Sequence, residues 1–295
     1  MIKIALNHLK KENKYFSIDQ IVYVVKETAA GLDHAHRCLD STSGRPLNIT
    51  HRDISPQNVM LSFEGEVKIV DFGIAKNETQ MDHTQAGTIK GKFGYMSPEQ
   101  ADGQTVDLRT DVFSLGIVLW ELLANDRLFV SNSEAATLRK VRECQIPSLR
   151  KINPSIPPEL ERICNKALAK DKSLRYQTAS AFHRDLNRFL NTQYPEFSAH
   201  DFSVFMKSAF SQMFVENRKK LIEYAKVQLV APEEPQRGTE KQIGTHTNTS
   251  TETGYTPVGF NPSTPATSKI TSPTSSAANH TIETDNNEDN DDVQL

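Results

Sequence analysis

Three oxygen-bearing side chains mark where this chain could do chemistry: Asp53, then Asn58, then Asp71. Between the second and third lie two short apolar runs, Val59-Met60-Leu61 and Val67-Lys68-Ile69-Val70, separated by Glu64-Gly65. A Glu-Gly pair between such runs predicts a tight turn and a pair of antiparallel strands. The hairpin folds the chain back, so Asn58 ahead of the first strand and Asp71 behind the second emerge at one end. Asp53, on the loop leading in, points into the same space. An amide oxygen and a carboxylate at neighbouring strand ends are hard ligands suited to Mg²⁺, which binds through few protein oxygens plus phosphates. A further carboxylate nearby can orient and deprotonate a hydroxyl nucleophile.

The setting of these residues carries a family resemblance. His51-Arg52-Asp53 with Asn58, followed by Asp71-Phe72-Gly73, resembles the catalytic loop and Mg²⁺-binding segment of eukaryotic-like protein kinases. The wording of residues 53–58 and 91–100 is most similar to bacterial, Hanks-type serine/threonine kinases of that superfamily. The resemblance implies that Asp53 takes the substrate hydroxyl's proton and that Asn58 and Asp71 hold Mg²⁺ beside ATP. Met60 resembles the floor of the adenine pocket, or is a plain core methionine. His51 and Phe72 resemble stacking residues of the apolar column between the lobes, and Gly73 completes the Asp-Phe-Gly motif. Asp111 resembles the acid that accepts hydrogen bonds from the catalytic loop's amides; left unpaired and buried, it would be costly. Glu99 and Arg175 resemble the buried ion pair that clamps the end of the activation segment. Arg52 beside Asp53 implies control by a phosphate on that segment, with Thr88 the first choice of acceptor and Thr84 the second.

One departure is informative. Serine/threonine kinases of this kind carry a lysine two residues after the catalytic aspartate, against the γ-phosphate, and a threonine near the start of the P+1 loop. This chain has Ser55 at the first position and Lys92 at the second. In the family the two positions face each other across the site. The resemblance therefore predicts an exchange in which Lys92 supplies the cation and Ser55 the hydroxyl; the alternative is a surface lysine on a flexible loop.

The elements that position these residues are mostly helical in pattern. Ile2, Ala5, Leu6 and Leu9 share one face of a first helix. Ser17 with Gln20 opens a second, whose stripe Ile18, Ile21, Val22, Val25, Ala29 and Leu32 runs to about His36. Cys38 to Asn48 reads as a loop into a short strand before His51. Residues 110–123 are apolar on nearly all sides, which predicts a buried central helix. Ser133 to Glu143, Pro158 to Leu168 and Thr178 to Leu190 are amphipathic helices, the second with Pro158 at a start that needs no amide donor. The predicted fold class is α+β: a mainly helical kinase large lobe with short β-hairpins over residues 1–192. Phe202, Phe205, Met206, Phe210, Met213, Leu221 and Ile222 predict a helical extension at 193–229, packed on the lobe or free to bind a partner. Residues 230–295, rich in Thr, Ser, Pro and Asn and closing on acids, lack the apolar area to order themselves and are expected to be disordered.

The first 50 residues are helical in pattern. They contain no glycine-rich loop, no strand lysine and no partner glutamate, so the expectation is a large lobe without its small β-rich lobe. Net charge of −3 argues against a nucleic-acid surface. Cys38, Cys144 and Cys164 lack CxxC spacing and read as reduced thiols. No run approaches the ~18 apolar residues of a membrane span, and no signal-peptide pattern opens the chain, so a cytoplasmic location is expected. The expected function is phosphorylation of protein serine and threonine hydroxyls with Mg²⁺-ATP, feeble in residues 1–295 alone. The alternatives are a non-catalytic kinase-like binding module and a half-kinase completed by a partner chain carrying the small lobe.

Overall fold

The computed structural model describes residues 2–72 and 92–226. Gly73, Thr84, Thr88 and the expected tail lie outside the described residues. The chain divides into two units, Met1–Val230 and Ala231–Leu295, and every described residue belongs to the first.

The central element is helix α4 (Leu108–Ala124), buried along almost its whole length. Its sequence leaves no polar face to turn to water, so neighbours must cover every side. Asp107 caps its start by accepting the Arg109 amide at 2.9 Å, and Asn125 ends it in a left-handed conformation at φ 52°. On one side lies α2 (Ile18–His36), which also packs against α8 (Ala179–Gln193). On another lies α7 (Pro158–Ala167), admitted closely because Gly116 carries no side chain: a Cβ there would stand 3.0 Å from that of Ala167. The short helices α3 (Pro98–Ala101) and α6 (Leu149–Ile152) and helix α5 (Glu134–Glu143) complete this half. Helix α1 (Ile2–Lys11) buries Ile2, Ala5 and Leu9, three of the four residues of its predicted stripe. The Ser17 amide donates to Gln20 Oε1 at 3.1 Å, so the capping box predicted for α2 forms.

The sheet has two antiparallel strands, β1 (Val59–Leu61) and β2 (Val67–Ile69), registered Val59 with Ile69, Met60 with Lys68 and Leu61 with Val67. The turn closes with Gly65 at φ 86°, a conformation that favours glycine. The Val70 amide donates to the Asn58 carbonyl at 2.9 Å, one step beyond the strands, and ties the two free ends together.

A short strand ahead of His51 is not formed. The preceding loop instead closes on itself through a bridge between Leu39 and Pro46. Asp40 Oδ1 accepts the Thr42 and Ser43 amides at 3.1 and 2.6 Å and holds this turn. The extension is two helices, α9 (Ala199–Ala209) and α10 (Ser211–Lys226), with a break at Phe210. Among the described residues no helix is long and apolar enough to cross a membrane.

Candidate active site

The loop from His51 to Asn58 is held from beneath by one carboxylate. Asp111, in the first turn of α4 and fully buried, accepts the His51 amide on Oδ2 and the Arg52 amide on Oδ1, each at 2.8 Å. His36 Nε2, from the last turn of α2, meets Oδ2 at 2.8 Å as a third partner. Three donors on one buried carboxylate supply what its desolvation requires. Arg52 sits at φ 64°, unusual for a side chain of its size. Such backbone costs on the order of 1–3 kcal/mol and persists only where surroundings enforce it. The hydrogen bond that the Arg52 amide donates to Asp111 on one side and the Gln100 side chain on the Arg52 carbonyl at 3.0 Å on the other do so here.

The buried His51 ring joins this loop to the hairpin. Nδ1 accepts the Asp53 amide at 3.3 Å, so Nε2 carries the hydrogen that goes to the Val70 carbonyl at 3.0 Å. The ring lies 4.6 Å from that of Phe72, tilted by 54°. Asn58 turns its amide nitrogen back to the Asp53 carbonyl at 2.8 Å, which leaves its amide oxygen as the acceptor that could meet a ligand. Asp71, exposed and at φ 60°, follows from the neighbouring strand end. One amide oxygen and one carboxylate are too few to hold a metal alone, and they suit a hard ion that completes its shell with phosphate and water. Among the described residues no group of three or more His, Cys, Asp and Glu gathers to form a fuller site.

Across this space stands Lys92. Its ammonium lies 2.7 Å from Asp53 Oδ2, with the lysine side chain 48% exposed and the aspartate 14%. Ser55, two residues after Asp53, is buried, and its carbonyl accepts the Asn58 amide at 3.0 Å. Met60 faces outward at 38% exposure, so it is not a core methionine. It lines a cleft of about 830 Å³ between the hairpin and α10.

Two buried clusters fix the segment that carries Lys92. Glu99 meets the Arg175 guanidinium through paired bonds of 2.7 and 2.8 Å and accepts the Thr110 hydroxyl at 2.8 Å. Burial pushes the Glu99 carboxyl up, but Arg175 and Thr110 outweigh it and hold the group below the ordinary glutamate value. Arg175 spends its other donors on the carbonyls of Ala169, Lys170 and Arg109 at 2.6, 2.9 and 3.4 Å. The second cluster was not legible in the sequence. Tyr95 donates its hydroxyl to Glu121 Oε2 at 2.7 Å, Arg127 meets both groups, and Ser114 donates to the Tyr95 carbonyl at 2.8 Å. Burial raises the pKa of Glu121 in spite of Arg127. This network pins the short 3-10 turn Phe93–Tyr95, directly after Lys92, to the side of α4. His36 was missed as well, since nothing local signals a partner in another helix. Gln100 did carry a signal, because Ser97 three residues earlier forms a capping box with it.

A loop hung from a central-helix carboxylate, a two-stranded hairpin and a clamped segment thus face one another. Residues 1–186 match the protein kinase domain family, and the chain belongs to that family. It is 37% identical over 211 residues to the tyrosine-protein kinase MasK of Myxococcus xanthus, covering 72% of this chain and 32% of that protein. It is 39% identical over 194 residues to a probable serine/threonine-protein kinase PknB of Bifidobacterium longum, covering 65% and 27%. With the serine/threonine-protein kinase PknB of Mycolicibacterium smegmatis the identity is 43% over 151 residues, covering 50% and 24%. The likeness is to the bacterial Hanks-type branch, and the chain spans about a third or less of the length of these relatives.

Proposed function

We propose that the chain is the large lobe of a protein serine/threonine kinase, which moves the γ-phosphoryl group of ATP to a protein hydroxyl. The observation that carries the reading is the joining of the loop to the hairpin's ligand end: Asn58 reaches back to the Asp53 carbonyl and its own carbonyl takes the Val70 amide. Asp53 aligns the substrate hydroxyl and receives its proton while the new O–P bond forms and the bond to the β-phosphate breaks, releasing ADP. Asn58 and Asp71 would hold Mg²⁺, which would offset the negative charge of the phosphates. Lys92 would supply the cation that the family places two residues after the aspartate, with Ser55 in the hydroxyl's place. The 2.7 Å approach of Lys92 to Asp53 supports that exchange.

Positioning and electrostatics do nearly all the work in this chemistry. The parts that grip the phosphates, the glycine-rich loop and the strand lysine, are absent from residues 1–295. On this reading another segment or a partner chain supplies them. The test is γ-phosphoryl transfer to a mixed protein substrate by residues 1–295, alone and after joining to a kinase small lobe. Feeble turnover alone and robust turnover when completed, abolished by Asp53→Asn, is expected. Robust turnover by the bare chain, or turnover that survives Asp53→Asn, would overturn the reading.

A further inference from the structure

We infer that the α9–α10 extension is a brace for the ligand-bearing hairpin: by gripping its turn, it fixes where the far end presents Asn58 and Asp71. The inference rests on the reading of those two residues as the metal and nucleotide ligands. A two-stranded hairpin is marginal by itself in water, and these strands are three residues each. Its shape must therefore be imposed from outside.

Two bodies impose it. From the lobe, Tyr23 of α2 donates its hydroxyl to the Gly65 carbonyl at 2.9 Å. From the other side the extension closes on the same turn. Ser203, itself buried, donates to the Phe63 carbonyl at 2.9 Å, and Lys207 meets Glu64 at 2.6 Å. Phe214 of α10 stacks edge-on against Phe63 at 5.2 Å. The approach at Gly65 is closer still, since a Cβ there would lie 2.6 Å from the Ala199 carbonyl oxygen.

The extension can act as a brace because it is itself anchored. Phe202 is fully buried, its ring 6.3 Å from that of Phe16, and Phe205 lies 5.6 Å from the same ring. The path from turn to ligands is short and hydrogen-bonded. It runs from the Ser62 amide on the Glu66 carbonyl, through the strand pairs, to the Val70 amide on the Asn58 carbonyl. A strand of this length covers roughly 10 Å, so little compliance separates the two ends.

The test is amide hydrogen exchange on the whole chain carrying Ser203→Ala and Phe214→Ala, which leave every hairpin residue untouched. The Val70 and Ser62 amides should exchange about tenfold faster while those of α4 and α8 keep their rates. Ser203→Thr in place of Ser203→Ala should restore part of the protection at Val70. Acceleration at Ser62 without Val70, or a uniform acceleration across the chain, would overturn the brace. A second arm titrates Mn²⁺ with ADP against the parent and variant chains, each completed with a kinase small lobe, read by electron paramagnetic resonance. Binding should weaken several-fold in the brace variants and vanish in Asp71→Ala. A parent chain that binds no Mn²⁺-ADP, or an Asp71→Ala chain that binds as the parent does, counts against the ligand reading, and the exchange arm still decides the brace.

Discussion

The Lys92 ammonium and an Asp53 carboxylate oxygen meet at 2.7 Å, from two separate loops. The turn after Lys92 keeps it in place, because Tyr95 is tied to Glu121 and Ser114 of the buried helix α4. A cation in this place can turn either to the carboxylate or to a phosphate arriving between them. That is the service the family obtains from a lysine at the position of Ser55.

The exchange makes a pair-wise prediction. Lys92→Thr alone should lower phosphotransfer by about 10²-fold or more, the scale of losing one oriented charge at a reacting phosphate. Ser55→Lys in that background should recover a good part of the loss, since it returns the cation from the opposite loop. The measurement is kcat/KM of the four variants of the cycle, in the chain completed with a small lobe. Additive losses, with no recovery in the double variant, would reduce Lys92 to a surface partner of Asp53.

The buried Asp111 leads to a second prediction, on stability. Asp111→Asn keeps the volume but replaces one acceptor oxygen with a donor facing the His51 or Arg52 amide. Hydrogen bonds to a charged group contribute about 1.5–3 kcal/mol each, and a buried unmatched donor adds its own cost. Unfolding by urea should show a loss of about 3 kcal/mol, with the His51 and Arg52 amides losing exchange protection first. An unchanged midpoint would mean that the loop is held from elsewhere.

These two sites show what the sequence could and could not say. That Asn58 and Asp71 stand at one end of a hairpin was legible because a short hairpin leaves little choice about where its ends go. The buried course of α4 was legible from residues 110–123, apolar on every side. The clamp of Glu99 on Arg175 came from resemblance rather than from pattern, since nothing in either local stretch names its partner. The Tyr95, Glu121 and Arg127 cluster and the bond from His36 to Asp111 escaped for the same reason. Contacts between distant segments are decided by packing, and periodicity reports only which face is buried. The missing strand before His51 is a smaller failure: the loop pairs earlier, through a bridge between Leu39 and Pro46.

The clamp yields a third prediction. Arg175→Met leaves Glu99 as a buried charge without its guanidinium partner, though still bonded to the Thr110 hydroxyl. Breaking such a pair costs roughly 3–5 kcal/mol. The pH dependence has a definite sign. Glu99 has a depressed pKa in the fold, so its contribution is present above the ordinary glutamate value of 4.5 and fades as pH falls through the lower folded value. Arg175→Met should remove that acid-side slope from a plot of stability against pH. A slope that survives in the variant would assign it to other carboxylates.

The Tyr95 cluster carries the opposite sign, and its prediction ties stability to the placing of Lys92. Burial raises the Glu121 pKa, and the Arg127 charge works against that rise. A carboxyl whose pKa is raised in the fold contributes stability that is present below its unfolded pKa and lost as pH climbs through the folded value. Arg127→Ala removes the opposing charge, so Glu121 titrates higher and the variant should fall further behind the parent between pH 5 and pH 8, by several degrees in Tm, roughly what 1–2 kcal/mol gives at this size. Glu121→Gln in the Arg127→Ala background removes the ionisation, so the pH-dependent part of the deficit should disappear. The same Arg127→Ala chain should show faster amide exchange at Tyr95 and Met96, because the turn after Lys92 has lost part of its anchor to α4. A deficit equal at both pH values, with Tyr95 and Met96 still protected, would make Arg127 a surface residue with no part in holding the segment.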